Sequence, residues 1–203
     1  FLVLVIFFSL SVSSTTYSCS EGGNLTLDQK EINKGAKKTI NNLDIGLIAS
    51  DEISGYNRIT AELMIDSEPV ALSNQTPSEI ITLSDGSHNI TLSGADNNLA
   101  KISLDGSVVE VNKGETASSG NLKVALINSQ DLGSGTSSAD ILVGNQKISL
   151  SNDRNPNEIV NVSGQEYLVG LYLASDTEST ISVSKCSAGK ISIRESQINK
   201  TKL

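Results

Sequence analysis

The chain has 203 residues, of which 37% are hydrophobic, 19% are charged and only 3% are aromatic. This balance excludes a disordered chain and a helical membrane bundle, and the net charge of −8 argues against nucleic acid as a partner. Ser, Thr, Asn and Gly are abundant, a composition typical of a β-rich protein with polar outer faces. Because the chain contains one His, two Cys and one Met, we predict no catalytic residues, no metal site and no enzyme activity.

The first ten residues, FLVLVIFFSL, form an uncharged apolar run about as long as the core of a signal peptide. Small polar residues follow, as expected near a cleavage site. We therefore assign residues 1–18 to a hydrophobic leader and expect an extracellular or cell-surface location. Two alternatives are a leader retained as a strand or pilin-like helix, and a lipoprotein attached through Cys19.

The sequence aligns with itself at an offset of 78 to 79 residues, and nearly all apolar positions stay apolar. Such self-similarity predicts two copies of one structural unit. The matched segments are 32–35 with 111–114, 43–50 with 122–129, 61–65 with 139–143, 70–73 with 148–151, 77–81 with 156–160 and 100–104 with 179–183.

Apolar residues within each unit alternate with a period of two, as in residues 168–173, and this period indicates strands. The runs are short and are separated by turn signals such as Asp105-Gly106. We therefore predict an all-β protein of two tandem antiparallel β-sandwich (immunoglobulin-like) domains of about 79 residues each. The expected boundaries are 19–104 for the first domain and 105–184 for the second.

The last segment, 185–203, resembles the opening of a third unit, because Cys186 and the residues after it match Cys19 and the residues after it. This basic tail carries a net charge of +4, whereas 19–104 and 105–184 each carry −6. We predict that it pairs with a sheet edge, in a neighbouring subunit if the protein assembles; the alternative is a solvated tail. The residues assigned to this assembly strand are Lys190, Ile191, Ile193, Arg194, Ile198 and Lys200.

The two cysteines occupy equivalent positions two repeats apart. Two sandwiches in a line would separate Cys19 from Cys186 by several tens of ångströms, whereas a disulfide needs Cα atoms about 6 Å apart. A bridge within the chain therefore requires the chain to fold back. Free thiols and bridges between chains are the alternatives.

Other polar residues receive structural interpretations. The only histidine, His88, aligns with Tyr167 and is interpreted as a strand residue packing at a sheet edge. The acidic groups at 51–52, 66–68 and 176–178 are possible Ca²⁺ ligands but match no spaced calcium motif, so we interpret them as solvated charges and predict no cofactor. Five sequons permit surface glycosylation, at Asn24, Asn74, Asn89, Asn161 and Asn199.

Residues Ile102–Thr116 read ISLDGSVVEVNKGET: a strand, an Asp-Gly turn, a second strand and a Gly-Glu-Thr turn. This pattern resembles repeats of secreted archaeal surface-layer-like proteins, and the resemblance implies a cell-surface structural subunit. We therefore expect an exported subunit of a surface layer or filament that forms a homo-oligomer or polymer through edge-strand pairing. One alternative is an adhesin or binding module whose end loops contact a glycan or another cell. A second alternative is a pilin-like subunit.

Overall fold

The computed structural model describes residues 14–20, 23–53, 58–133 and 136–196. Within these ranges the regular structure consists of strands, all paired antiparallel within their sheets, which confirms the predicted all-β class. The strands are β1 (Ser14–Cys19), β2 (Leu25–Asn33), β3 (Lys37–Ile40), β4 (Leu43–Ile53), β5 (Arg58–Ser73), β6 (Ser78–Leu83), β7 (Gly86–Ala95), β8 (Leu99–Leu104), β9 (Ser107–Asn112), β10 (Thr116–Ser119), β11 (Leu122–Gly133), β12 (Thr136–Ser151), β13 (Asn157–Val162), β14 (Gln165–Ala174), β15 (Glu178–Cys186) and β16 (Ile191–Ser196).

The described strands form three large sheets and one ribbon. A central sheet has the order β10-β11-β12-β5-β4-β3. The first outer sheet has the order β13-β14-β15-β2, and the second outer sheet has the order β6-β7-β8-β9. Strands β1 and β16 form a separate two-stranded ribbon.

The two central strands, β5 and β12, are 16 residues long and pair from Ser73 with Ser138 to Thr60 with Ser151. At ~3.3 Å per residue, each strand is long enough to serve two cores. The first core takes Ala61, Leu63 and Ile65 from β5, whereas the second core takes Val70 and Leu72 from the same strand. Each core is then closed by one outer sheet.

Each core is built from both repeats. The first core joins β2–β4 and half of β5, from repeat one, to half of β12 and the first outer sheet strands β13–β15, from repeat two. The second core joins β9, β11 and the other half of β12, from repeat two, to the other half of β5 and β6–β8, from repeat one. The predicted division into consecutive domains at 19–104 and 105–184 is therefore not confirmed. The physical reason is that β5 and β12 each carry the chain out of one core and into the other before it turns into an outer sheet.

The two repeats nevertheless have equivalent local structures. Gly35 N–H donates to the Leu47 carbonyl, and Gly114 N–H donates to the Leu126 carbonyl, both at 2.8 Å. Both glycines have left-handed backbones, with φ of 78° and 81°, which a β-branched residue adopts only under strain. The repeat that the sequence predicts is thus visible as a repeated hydrogen-bonding pattern.

Each core thus takes part of its strands from each repeat, an arrangement that we call the exchange of halves. Adjacent hydrogen bonds between the two repeats show it directly. The Lys34 N–H donates to the carbonyl of Thr177, in the other repeat, at 2.8 Å. Its counterpart, Lys113 N–H, donates to the carbonyl of Asn98 at 2.7 Å. Each repeat therefore completes the other.

A disulfide joins Cys19 to Cys186, with Cα atoms 5.6 Å apart. The bridge forms because β2 pairs with β15 along its whole length, ending at Leu25 opposite Cys186. The chain therefore folds back, and the sequence-based premise of two sandwiches in a line was wrong.

The tail strand does not begin a third unit within the described residues. β16 pairs with β1 of the same chain, from Ile191 opposite Cys19 to Ser196 opposite Ser14, and not with the edge of a sandwich. Ile191 is buried against Leu168 and Cys186 on the outer face of the first outer sheet. The tail strand, for which the sequence indicated no partner within the chain, is therefore paired with β1 from Ile191 to Ser196.

The remaining tail residues are exposed or lie beyond the described ranges. Ile193 is 56% exposed, and Lys190 and Arg194 are exposed. Ile198, Asn199 and Lys200 lie outside the described residues, as does the leader up to residue 13. The last part of the assigned leader, residues 14–18, is in β1.

Candidate functional site

A polar cavity of about 410 Å³ lies at the middle of the two long central strands. Residues 65–66 of β5 and 145–146 of β12 form its floor, together with Lys123 of β11. Residues 84–85, 120–121 and 161–163, at turns of three different sheets, complete the wall. The cavity exists because the exchange of halves brings these turns to one place.

The cavity wall contains two carboxylates held by one amide. Asn145 Nδ2 donates to Asp66 Oδ2 at 2.7 Å and to Asp85 Oδ1 at 3.0 Å. Asp66 Oδ2 also accepts hydrogen bonds from the backbone N–H of Ser84, at 3.0 Å, and from its hydroxyl. These bonds tie the β6–β7 turn to both central strands and fix the orientation of the Asn145 amide.

The network continues from Asp85 to the only histidine. His88 Nε2 lies 3.0 Å from Asp85 Oδ1, and His88 Nδ1 lies 2.8 Å from Asp105 Oδ2. The hydrogen bond with Asp105 is the main cause of a raised His88 pKa, and burial opposes it. The same hydrogen bond is the main cause of the lowered Asp105 pKa. For Asp85, burial would raise the pKa, but bonds from His88 and Asn145 outweigh it and the pKa is lowered.

His88 is a strand residue, as predicted, but its predicted position at a sheet edge was wrong. Its strand, β7, lies between β6 and β8, and its ring is held between carboxylates from two Asp-Gly turns. The sequence contained one signal that could have revealed the site. All five network residues break the repeat, and they are Asp66 opposite Gly144, Asp85 opposite Gly164, His88 opposite Tyr167, Asp105 opposite Ser184 and Asn145 opposite Ser67.

The acidic groups considered for Ca²⁺ do not converge on each other. Asp66 belongs to the cavity network, whereas Glu68 forms an ion pair with Lys37 at 2.6 Å. Residues 51–52 and Asp176 are exposed at other places. Within the described ranges, no group of three or more His, Cys, Asp or Glu residues is arranged to hold a metal ion.

Four of the five sequon asparagines fall within the described residues and are exposed. They are Asn24, Asn74, Asn89 and Asn161. Asn199 lies outside these ranges. Glycosylation of the four exposed positions therefore remains a prediction.

Comparison with protein-family models, curated proteins and solved structures returned no match to this chain. No helix long and apolar enough to cross a membrane occurs in the described part of the chain. The fold and the site define a disulfide-bridged all-β protein in which two repeats exchange halves around two cores.

Proposed function

We propose that this protein is an exported structural subunit of a cell-surface layer or extracellular filament, and that copies associate head to tail through unlike ends. The observation that carries the proposal is the opposite net charge of two segments: −4 for 74–112, which contains the second outer sheet, and +4 for 185–203, which contains ribbon strand β16. Contacts between unlike surfaces generate open assemblies unless the rotation between subunits closes a ring.

The second outer sheet supplies the acidic end. Segment 74–112, which contains this sheet, carries a net charge of −4. Its terminal strands β6 and β9 expose Ile80, at 72%, and Val108, at 61%. An uncovered sheet with open edges and exposed apolar side chains can accept a neighbouring strand or ribbon.

The ribbon supplies the basic end. Lys190, directly before β16, and Arg194 within it are exposed and form no ion pair among the side chains that the structure describes. Strand β16 also contains Glu195, so the basic character is that of the whole tail, +4 over 185–203. Ile193 lies between them in sequence and is also exposed. The ribbon therefore offers positive charge and an apolar side chain to the acidic sheet of the next copy.

The disulfide supports the exported location. Cys19–Cys186 fastens the ribbon to the first outer sheet, and disulfides of this kind persist in oxidising compartments. Export also agrees with the apolar run at residues 1–10, which precedes β1.

The test is charge reversal on the ribbon in the full chain. We expect the unmodified protein to form filaments or sheets at low salt, visible by electron microscopy and collected by sedimentation. The double variant Lys190→Glu/Arg194→Glu should stay monomeric with an unchanged circular dichroism spectrum, because like charges would meet at the contact.

The matched control is Lys34→Glu/Lys38→Glu, which changes the net charge equally at two exposed positions of the body. This control should assemble normally. The proposal is overturned if the unmodified protein stays monomeric over a range of salt, or if both double variants behave alike. Dispersed particles that adhere to cells would favour the adhesin alternative.

A further inference from the structure

We propose that the cavity at the middle of the central strands binds a small polyhydroxylated ligand, the size of one or two sugar residues. This inference goes beyond assembly, because it assigns a small-molecule ligand to a cavity and not a second copy of the chain to an outer surface. The cavity volume of about 410 Å³ falls within the range of ~300–1,000 Å³ typical of small-molecule sites.

Several polar side chains in the cavity wall have unused hydrogen-bonding capacity. The side chains of Asn121, Lys123, Gln146 and Ser163 line the cavity and make no hydrogen bond or ion pair with another described residue. They come from two turns and two strands that the fold brings together. A ligand could therefore bind them without breaking existing bonds.

Asn145 supplies an acceptor that the protein itself leaves unsatisfied. Its Nδ2 is committed to Asp66 and Asp85, so the orientation of the amide is determined. Its Oδ1 is buried and accepts no hydrogen bond. A buried acceptor without a donor is costly, and a small movement of the cavity wall would let a ligand hydroxyl reach this oxygen and remove that cost.

The mixture of groups favours hydroxyls over ions. Two carboxylates, one ammonium group and four amides line the cavity, so no single charge dominates it. A sugar hydroxyl both donates and accepts, and it can pair with every one of these groups. Because no aromatic ring lines the cavity, binding would depend on hydrogen bonds alone, and we expect a Kd of roughly millimolar order.

The other repeat provides an internal comparison. Asn41 takes the place of Gly120 in the β3–β4 turn, and its Nδ2 donates to the Thr26 carbonyl at 2.9 Å. This bond holds the counterpart turn against β2 instead of leaving it beside a cavity. Asp66, with a left-handed φ of 53°, stands where the other repeat has Gly144.

The experiment uses the full chain labelled with ¹⁵N and carrying Lys190→Glu/Arg194→Glu, so that assembly does not affect the result. The probes are the methyl glycosides of glucose, mannose, N-acetylglucosamine and glucuronic acid. We expect at least one probe to shift the backbone amide signals of the cavity residues saturably. The double variant Asn121→Ala/Gln146→Ala should weaken that binding by about tenfold or more.

The matched control is Gln29→Ala/Asn98→Ala, which removes one Asn and one Gln amide at exposed positions away from the cavity. It should bind the probe like the parent. The inference is overturned if none of the four glycosides shifts the cavity amides, if shifts map to another surface, or if both double variants lose affinity equally. Glycoside binding together with a failure of the unmodified protein to assemble would contradict the proposed function alone.

Discussion

At the residue scale, His88 makes the network sensitive to protonation. A protonated imidazole donates from both nitrogens and satisfies Asp85 and Asp105 together. A neutral ring donates from only one nitrogen, so one carboxylate then faces a lone pair. The network is therefore complete only while the ring is charged and both carboxylates are ionised.

The sign of the pH dependence follows from these pKa directions. The raised His88 pKa means that its contribution is present below the ordinary value of 6.5 and is lost as pH rises through the folded value. The lowered pKa values of Asp85 and Asp105 mean that their contribution is lost as pH falls below 3.8. Stability from this network should thus be greatest between these limits.

We expect the free energy of unfolding to fall by about 1 kcal/mol or less as the pH rises past the His88 pKa, because the carboxylates are partly exposed. Urea unfolding at a series of pH values would measure the change. The variant His88→Gln should lack this dependence. An equal decline in the variant would assign the effect to other groups.

At the element scale, the ribbon covers the outer face of the first outer sheet, and this covered face carries apolar residues where the uncovered one carries polar residues. Leu168 is 8% exposed beneath the ribbon, whereas its counterpart Asn89 lies on the uncovered second outer sheet. Ile159 packs into the covered cluster, whereas its counterpart Ile80 is exposed. The two repeats thus differ in burial on the outer face that the ribbon covers in the first outer sheet and leaves exposed in the second.

We expect Leu168→Asn to lower the free energy of unfolding by about 2–4 kcal/mol, because it removes buried apolar contacts and leaves a polar group beneath the ribbon. The matched control is Asn89→Leu, the opposite exchange at the equivalent uncovered position, which should change stability by about 0.5 kcal/mol. Urea titration measures both. Similar losses in the two variants would contradict a covering role for the ribbon.

At the scale of the whole molecule, the exchange of halves makes the two cores interdependent. β5 and β12 contribute to both cores and pair with each other along most of their length. A further buried cluster of Ile48, Met64, Ala125 and Leu142 joins the four inner strands of the central sheet. Neither core can lose its strands while the other stays intact.

We therefore expect one cooperative unfolding transition in differential scanning calorimetry. Leu63→Ala in the first core and its counterpart Ile141→Ala in the second should each move that whole transition, with a loss of about 2–5 kcal/mol. Independent sandwiches would instead give two transitions, and each substitution would move only one of them.

The strand content and the repeat could be read from the sequence, because alternation of apolar side chains is a local property. The partners of the strands could not. Since the repeats are alike, the edge of β15 could pair with β9 as well as with β2. Pairing with β2 is selected because β12 runs without a break from the second core into the first, so the outer strands that follow it lie over the first core. In the same way, β5 leads the chain from the first core to the second outer sheet.

The sequence by itself thus determined the all-β class, the equivalence of the two units and an apolar strand after Cys186. Only the tertiary structure decided that Cys186 meets Cys19, that this strand pairs with β1, and that Asp66, Asp85, His88 and Asn145 form one network. The physical reason is that strand pairing and side-chain hydrogen bonds act between residues far apart in the chain. Their geometry depends on how the sheets cross, which no local pattern encodes.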